Sequence, residues 1–260
     1  MTTVLRGLRS LLSLLTSIPL GGGKLEDAAR SFYAIPLVGV LEGLAVSTCL
    51  YLLGVLGLAA EVAALTYVVA HVVLTGGIHL DGFADYSDVL GSRLRGERAL
   101  AVLKDPRRGA YGVLLTALLV TASYALAERV YLTLPGLELV ALITASYTSS
   151  AESIYVAATV GVAEPYQGLA REVTLRAKEL KSAVKNSSTY LLVVLVLALL
   201  VWATQPPAAL AKLLAVSSLP LLVGWFVGRD ANLRLGFVNG DVLGFCYEVC
   251  RVASLLVVAA

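Results

Sequence analysis

Three carboxylates, Asp81, Asp85 and Asp88, stand at i, i+4 and i+7 in the stretch Gly76-Gly77-Ile78-His79-Leu80-Asp81-Gly82-Phe83-Ala84-Asp85-Tyr86-Ser87-Asp88. Helical spacing puts all three on one face. Like charges so arranged repel unless water or a cation lies between them. Hard carboxylate oxygens suit magnesium, manganese or calcium rather than zinc. Gly82, Ala84 and Ser87 are small and leave room for a bulky ligand to approach. His79, two residues before Asp81, is placed to orient a carboxylate or take a proton. Taken alone, such a triplet is ordinary at a solvated helix end. Two features give it more weight: the apolar run before it is long enough to be a membrane span, and a second acidic, glycine-rich stretch lies at a similar boundary.

A basic segment follows the triplet, with Arg93, Arg95 and Arg98, then Lys104-Asp105-Pro106-Arg107-Arg108-Gly109-Ala110-Tyr111-Gly112. Basic residues at a membrane boundary meet anionic lipid and set topology. Beside an oxygen-rich cation site they also meet the needs of a diphosphate, whose charge Arg shares through a planar fork. Gly109 and Gly112 let the backbone approach a ligand closely. The second acidic stretch runs from Leu235 to Glu248. There Asn239-Gly240-Asp241 bends the chain, and Asp241 either caps the helix that follows or joins the first cluster. Glu248 lies on the same helical face, about 10 Å deeper by helical rise. A carboxylate inside a span is costly and is a functional candidate by default. Arg251 is its candidate structural partner, Glu42 is a similar case in the first span, and His71 is expected to hydrogen-bond another helix.

The elements that must position these residues follow from composition. The chain has 260 residues, 58% hydrophobic and only 15% charged, with a mean hydropathy of +0.84. Soluble domains carry roughly 25% charged residues. Several runs reach or approach the ~20 apolar residues that cross a bilayer as a helix, and long Leu/Val/Ala blocks argue against a strand barrel, which shows short alternating segments. The fold class expected is all-α: a polytopic membrane bundle of about seven spans behind an amphipathic N-terminal helix. The spans fall near 32–57, 62–78, 111–127, 137–160, 190–203, 210–227 and 242–259. A net charge of +2 gives no nucleic-acid signal. Cys49, Cys246 and Cys250 lie in apolar runs and imply no disulfide framework.

The whole chain, 1–260, reads as one membrane domain. Residues 1–23 form an interfacial segment ending in Gly21-Gly22-Gly23, and 79–108, 161–188 and 229–241 are polar cytoplasmic loops, the first of them part-helical. With the amino terminus inside, seventeen of the twenty basic residues fall on the cytoplasmic side. The carboxylates Asp81, Asp85, Asp88, Asp105, Asp230 and Asp241 fall there too. Any chemistry is therefore expected on the cytoplasmic face of the cell membrane.

Together these stretches resemble the adenosylcobinamide-GDP ribazoletransferase family, also called cobalamin-5′-phosphate synthase. The family pattern GG-hydrophobic-HLDG-hydrophobic-AD-x-x-D is met by Gly76 to Asp88, K-D-S-R-x-G-x-x-G by Lys104 to Gly112, and T-G-D-x-x-G-x-x-x-E by Asn239 to Glu248. An earlier P-L-V-G-x-x-x-G is met by Pro36 to Gly43. The chain departs from the pattern at Pro106 (usually Ser), Asn239 (usually Thr), Val89 (usually Gly) and Ser149-Ser150-Ala151-Glu152, where an Arg is frequent. The resemblance implies transfer of adenosylcobinamide phosphate from its GDP-activated form to α-ribazole or α-ribazole 5′-phosphate, with GMP leaving and magnesium required. On that reading Asp81, Asp85, Asp88 and Asp241 are metal candidates, with His79 or Asp88 as base. Lys104, Asp105, Arg107, Arg108, Gly109, Asn239, Gly240 and Glu248 are substrate-binding candidates. The partners are the two substrates and membrane lipid.

Two rival readings make different demands. A CDP-alcohol phosphotransferase also pairs membrane helices with an Asp cluster and magnesium, but its pattern D-G-x-x-A-R expects Arg after the alanine, where this chain has Asp85. An ion-coupled transporter places its site near the bilayer midplane, whereas most of the acids here gather at one boundary.

Overall fold

The computed structural model describes residues 3–21 and 23–260. Gly22, the middle of the expected glycine break, lies outside them, as do Met1 and Thr2 of the expected interfacial segment. The chain folds as helices α1 (Thr3–Leu15), α2 (Leu25–Arg30), α3 (Ile35–Val55), α4 (Ala60–Thr75), α5 (Ile78–Ser92) and α6 (Glu97–Leu103). There follow α7 (Ala110–Thr133), α8 (Gly136–Val160), α9 (Leu169–Ala177), α10 (Leu180–Thr204), α11 (Pro207–Arg234) and α12 (Gly240–Ala259). Among the described residues, β pairing is limited to one isolated parallel bridge between Ala163 and Val238. The architecture is an all-α membrane bundle.

Among the described residues, five helices are long and apolar enough to cross a membrane, beginning at Phe32, Ala110, Leu180, Pro207 and Gly240. A sixth crossing results if α4 and α5, which meet at 93°, count as one broken span. The fourth expected span, α8, is a full 25-residue helix but falls outside this set. Its sequence explains why. Ser, Thr and Tyr crowd its middle, and it lies buried at the centre of the bundle against α3, α11 and α12 rather than facing outward. Several of its hydroxyls return to carbonyls one turn back, as in Ser146 to Leu142 at 2.9 Å and Ser150 to Ser146 at 2.7 Å, and these need no water. Glycines bring α3 close to it: a Cβ on Gly43 would stand 2.6 Å from Thr144 Cα.

The polar segments expected as loops are mostly helical. Residues 79–108 hold most of α5 and all of α6, 161–188 hold α9 and the first turns of α10, and α11 continues through 229–234. Short helices satisfy their own backbone groups at a boundary where water is scarce. The bend between α4 and α5 is set by Gly76 and Gly77, both left-handed with φ of 63° and 70°, a conformation open to glycine and strained for other residues. The chain leaving α1 caps this bend: Ser17 donates its amide to Leu74 O at 2.8 Å and its hydroxyl to Val73 O at 2.5 Å. The segment that follows α1 is thus tied to the place where the acidic motif begins.

Candidate functional site

The site forms where α5 crosses α12. Gly82 allows the crossing: a Cβ there would lie 2.8 Å from Asp241 Cα and 2.9 Å from its carbonyl oxygen, so the two backbones are in direct contact. The room expected at Gly82 for a ligand is filled by α12. Phe83 stacks on Phe245 with centroids 5.1 Å apart, and His79 stacks on Tyr247 at 4.1 Å. These contacts hold Asp81, on α5, beside Asp241, in the first turn of α12. Asn239 caps α12, accepting from Val242 N at 3.1 Å. Asp241 is therefore free of the capping role. Its carboxylate accepts instead from Asn239 Nδ2 at 2.7 Å.

Asp81 and Asp85 both pair with the Arg108 guanidinium, which lies between them. One planar cation thus holds the two carboxylates that helical spacing placed on one face. Asp88, one turn on, is engaged differently. Its two oxygens accept the amides of Gly109 and Gly112, each at 2.8 Å, so it caps the start of α7. The close backbone approach expected at those glycines is made to Asp88. Arg107 forms a closed turn with Asp105, which accepts from its amide and its Nε at 3.0 Å and from Nη2 at 2.8 Å. Those bonds hold the Asp105 carboxyl at about 2, below its ordinary value. Lys104 Nζ sits 4.2 Å from the centroid of the Tyr166 ring. Gly240 meets open space.

Glu248 is not at this surface. It is fully buried, bonded to His71 Nε2 at 2.8 Å and to Arg251 at 2.7 and 2.9 Å. Arg251 also donates to Tyr67 and Ser123, both at 3.1 Å, and His71 Nδ1 meets Tyr147 Oη at 3.2 Å. Glu42 accepts from Tyr247 Oη at 2.6 Å. The structural pairing expected of Arg251 and the interhelical bond expected of His71 are both present. The tyrosines that complete the network were not anticipated, because nothing in their spacing separates them from ordinary core aromatics.

Can the carboxylates hold a divalent cation? The donors are of the right kind, all hard carboxylate oxygens, and Arg108 already places one positive charge between Asp81 and Asp85. Among the described residues, no three His, Cys, Asp or Glu side chains are grouped so that they could hold a metal ion by themselves. Magnesium does not require such a group: it keeps several waters and is bound through one or two carboxylates together with substrate phosphates.

A cavity of about 290 Å³ opens beside the acidic pair, walled by α1, α5, α8, α9 and α12 and reached by His79, Asp81, Gly240 and Asp241.

Residues 7–259 match the family model described as cobalamin-5-phosphate synthase. Similar curated proteins include three that bear the name adenosylcobinamide-GDP ribazoletransferase. That of Halorubrum lacusprofundi is 32% identical, over 97% of this chain and 96% of its own. That of Chlorobaculum tepidum is 31% identical, over 98% and 96%. That of Bradyrhizobium diazoefficiens is 30% identical, over 99% and 94%. No solved structure matches the chain. A match across nearly the whole chain, with the acidic, basic and late glycine-rich motifs folded around a single crossing of α5 and α12, places this protein in the cobalamin-5-phosphate synthase family, a family of transferases of cobalamin biosynthesis.

Proposed function

We propose that this protein joins adenosylcobinamide-GDP to α-ribazole, or to α-ribazole 5′-phosphate, releasing GMP. The reaction is a displacement at a phosphorus of the diphosphate by the ribose 5′-hydroxyl. The observation that carries this reading is the Arg108 guanidinium held between Asp81 and Asp85, with Asp81 also lining, together with Asp241, the cavity beside them. A site of this kind offers charges of both signs to a diphosphate.

Asp81, Asp85 and Asp241 would hold magnesium, which when bound neutralises the diphosphate and the charge that grows on departing GMP. Arg108, released from the carboxylates, turns its fork to the phosphates. Lys104 and Arg107 extend the positive surface along the same segment. His79 borders the cavity, where it can hydrogen-bond the acceptor substrate. Asp88 acts through position: by holding the amides of Gly109 and Gly112 it fixes the segment that carries Arg108. The protein works in the cell membrane with this face toward the cytoplasm, where its water-soluble nucleotide substrate is available, and lipid surrounds the outward apolar faces.

The test is GMP release from purified protein in liposomes given both substrates, with magnesium or with EDTA. Asp81→Asn and Asp85→Asn should each lower turnover by about 10² to 10³ while the protein still inserts. Full activity in both variants, or equal release in EDTA, would sink the assignment.

A further inference from the structure

The cavity beside Asp81 and Asp241 is asymmetric in chemistry. Apart from His79, Asp81 and Asp241, its side chains are apolar, with α1 contributing Leu11, Leu14 and Leu15 and α9 contributing Leu169 and Val173. At about 290 Å³ it lies just below the usual range of ligand pockets, which begins at roughly 300 Å³. His79 is 5% exposed, and its ring stacks on Tyr247 without a hydrogen-bond partner among the described residues. A buried imidazole facing a cavity and lacking a partner is a polar group waiting for one.

We infer that this cavity is the seat of the acceptor's base: the bicyclic aromatic azole of ribazole lies between α1 and α9, with its ribose directed at Asp81 and Asp241. The inference rests on the function proposed above and names which part of which substrate the cavity takes. Three groups of the two substrates compete for it. The corrin macrocycle is too large for the volume. Guanine fits by size, but it carries N–H, amino and carbonyl groups around its edge, and apolar walls leave most of them unpaired at a cost of kilocalories each. A bicyclic azole presents apolar faces and edges and a single unsubstituted ring nitrogen. That nitrogen accepts one hydrogen bond, which His79 donates. Placing the base here leaves the ribose at the polar end, where its 5′-hydroxyl meets the acidic pair that faces the diphosphate.

The placement also assigns α1 a purpose. Leu11, Leu14 and Leu15 form one wall, and Ser17 ties that helix to the α4–α5 bend. The helix is the cover of an acceptor site, and its apolar face meets both lipid and base.

Two experiments test this on the full chain in nanodiscs. The first photolabels the unmodified protein with ribazole carrying a diazirine on its base, in the absence of donor. Label on peptides spanning 11–15 or 169–173, competed by free α-ribazole, supports the placement. Label confined to other segments overturns it. The second measures both KM values in Leu169→Trp and Leu14→Trp, which fill the cavity from two different helices. Each should raise the KM for α-ribazole about tenfold and leave that for adenosylcobinamide-GDP within about twofold. A rise confined to the donor assigns the cavity to guanine and overturns the inference, and so does no change in either KM. Wild-type GMP release separates the two levels. If it is present and the label falls elsewhere, only the base site is wrong; if it is absent, the transferase reading falls and takes the base site with it.

Discussion

His71 Nε2 and Glu248 Oε1 lie 2.8 Å apart, joining α4 to α12 across 177 residues of sequence. Glu248 also holds Arg251, and the three side chains are buried together at the level of the bundle core. The late motif's glutamate therefore ties α4 to α12 inside the bundle.

Glu248→Ala should destabilise the protein by about 3 to 5 kcal/mol, because it leaves the Arg251 charge buried without its partner. Unfolding in detergent, followed by tryptophan emission, reads this directly. The double replacement Glu248→Gln with Arg251→Met removes both charges and should recover a large part of the loss. A single variant as stable as the parent would show that the pair contributes nothing.

The crossing of α5 and α12 makes an equally sharp prediction. An added Cβ on Gly82 meets Asp241 backbone atoms at 2.8 and 2.9 Å, and backbone cannot turn aside as a flexible side chain can. Gly82→Ala should cost about 1 to 3 kcal/mol and separate Asp81 from Asp241, lowering kcat as well as the unfolding temperature. Gly240→Ala, where a Cβ meets open space, should unfold with the parent. Equal thermal behaviour of the two variants would refute the close crossing.

Much of this was legible in the sequence. Composition and apolar runs gave the membrane bundle, and i, i+4 spacing placed Asp81 and Asp85 on the one face that Arg108 bridges. The limits are physical. Span counting from hydropathy treats every long helix alike. It cannot see that α8 is polar in its middle because it is wrapped by other helices, or that the apolar run of α4 ends in a 93° bend at two glycines. Acid spacing alone did not divide Asp88 from its neighbours. That division depends on Gly109 and Gly112, over twenty residues away, offering their amides. Gly82 suggests room for a ligand, yet another helix fills that room, and sequence does not distinguish the two.

Asp88 should behave as a positioning residue. Asp88→Ala removes the acceptor for two amides at the start of α7, a loss of about 0.5 to 2 kcal/mol. Hydrogen exchange at Gly109 and Gly112 should accelerate, and the KM for the GDP-activated donor should rise more than kcat falls, since Arg108 is carried on the same segment. A collapse of kcat with unchanged exchange would instead make Asp88 a participant in the chemistry.

The turn at Asp105 predicts a pH dependence. Bonds from the Arg107 side chain and amide lower the Asp105 carboxyl from its ordinary 3.8 to about 2. The unfolded segment therefore binds more protons than the folded one between those two values, so its order falls as the pH falls through them. The turn should be complete above about pH 4 and open as the pH approaches 2. Across the neutral range it should not respond to pH at all. Carbon-13 labelling of the aspartate carboxyls, followed by NMR, should show Asp105 titrating near 2 in the parent and moving back toward its ordinary value in Arg107→Gln. An unshifted midpoint in the parent would mean that the turn does not form in solution. Arg107 would then be free to reach the phosphates without first breaking a bond to its own chain.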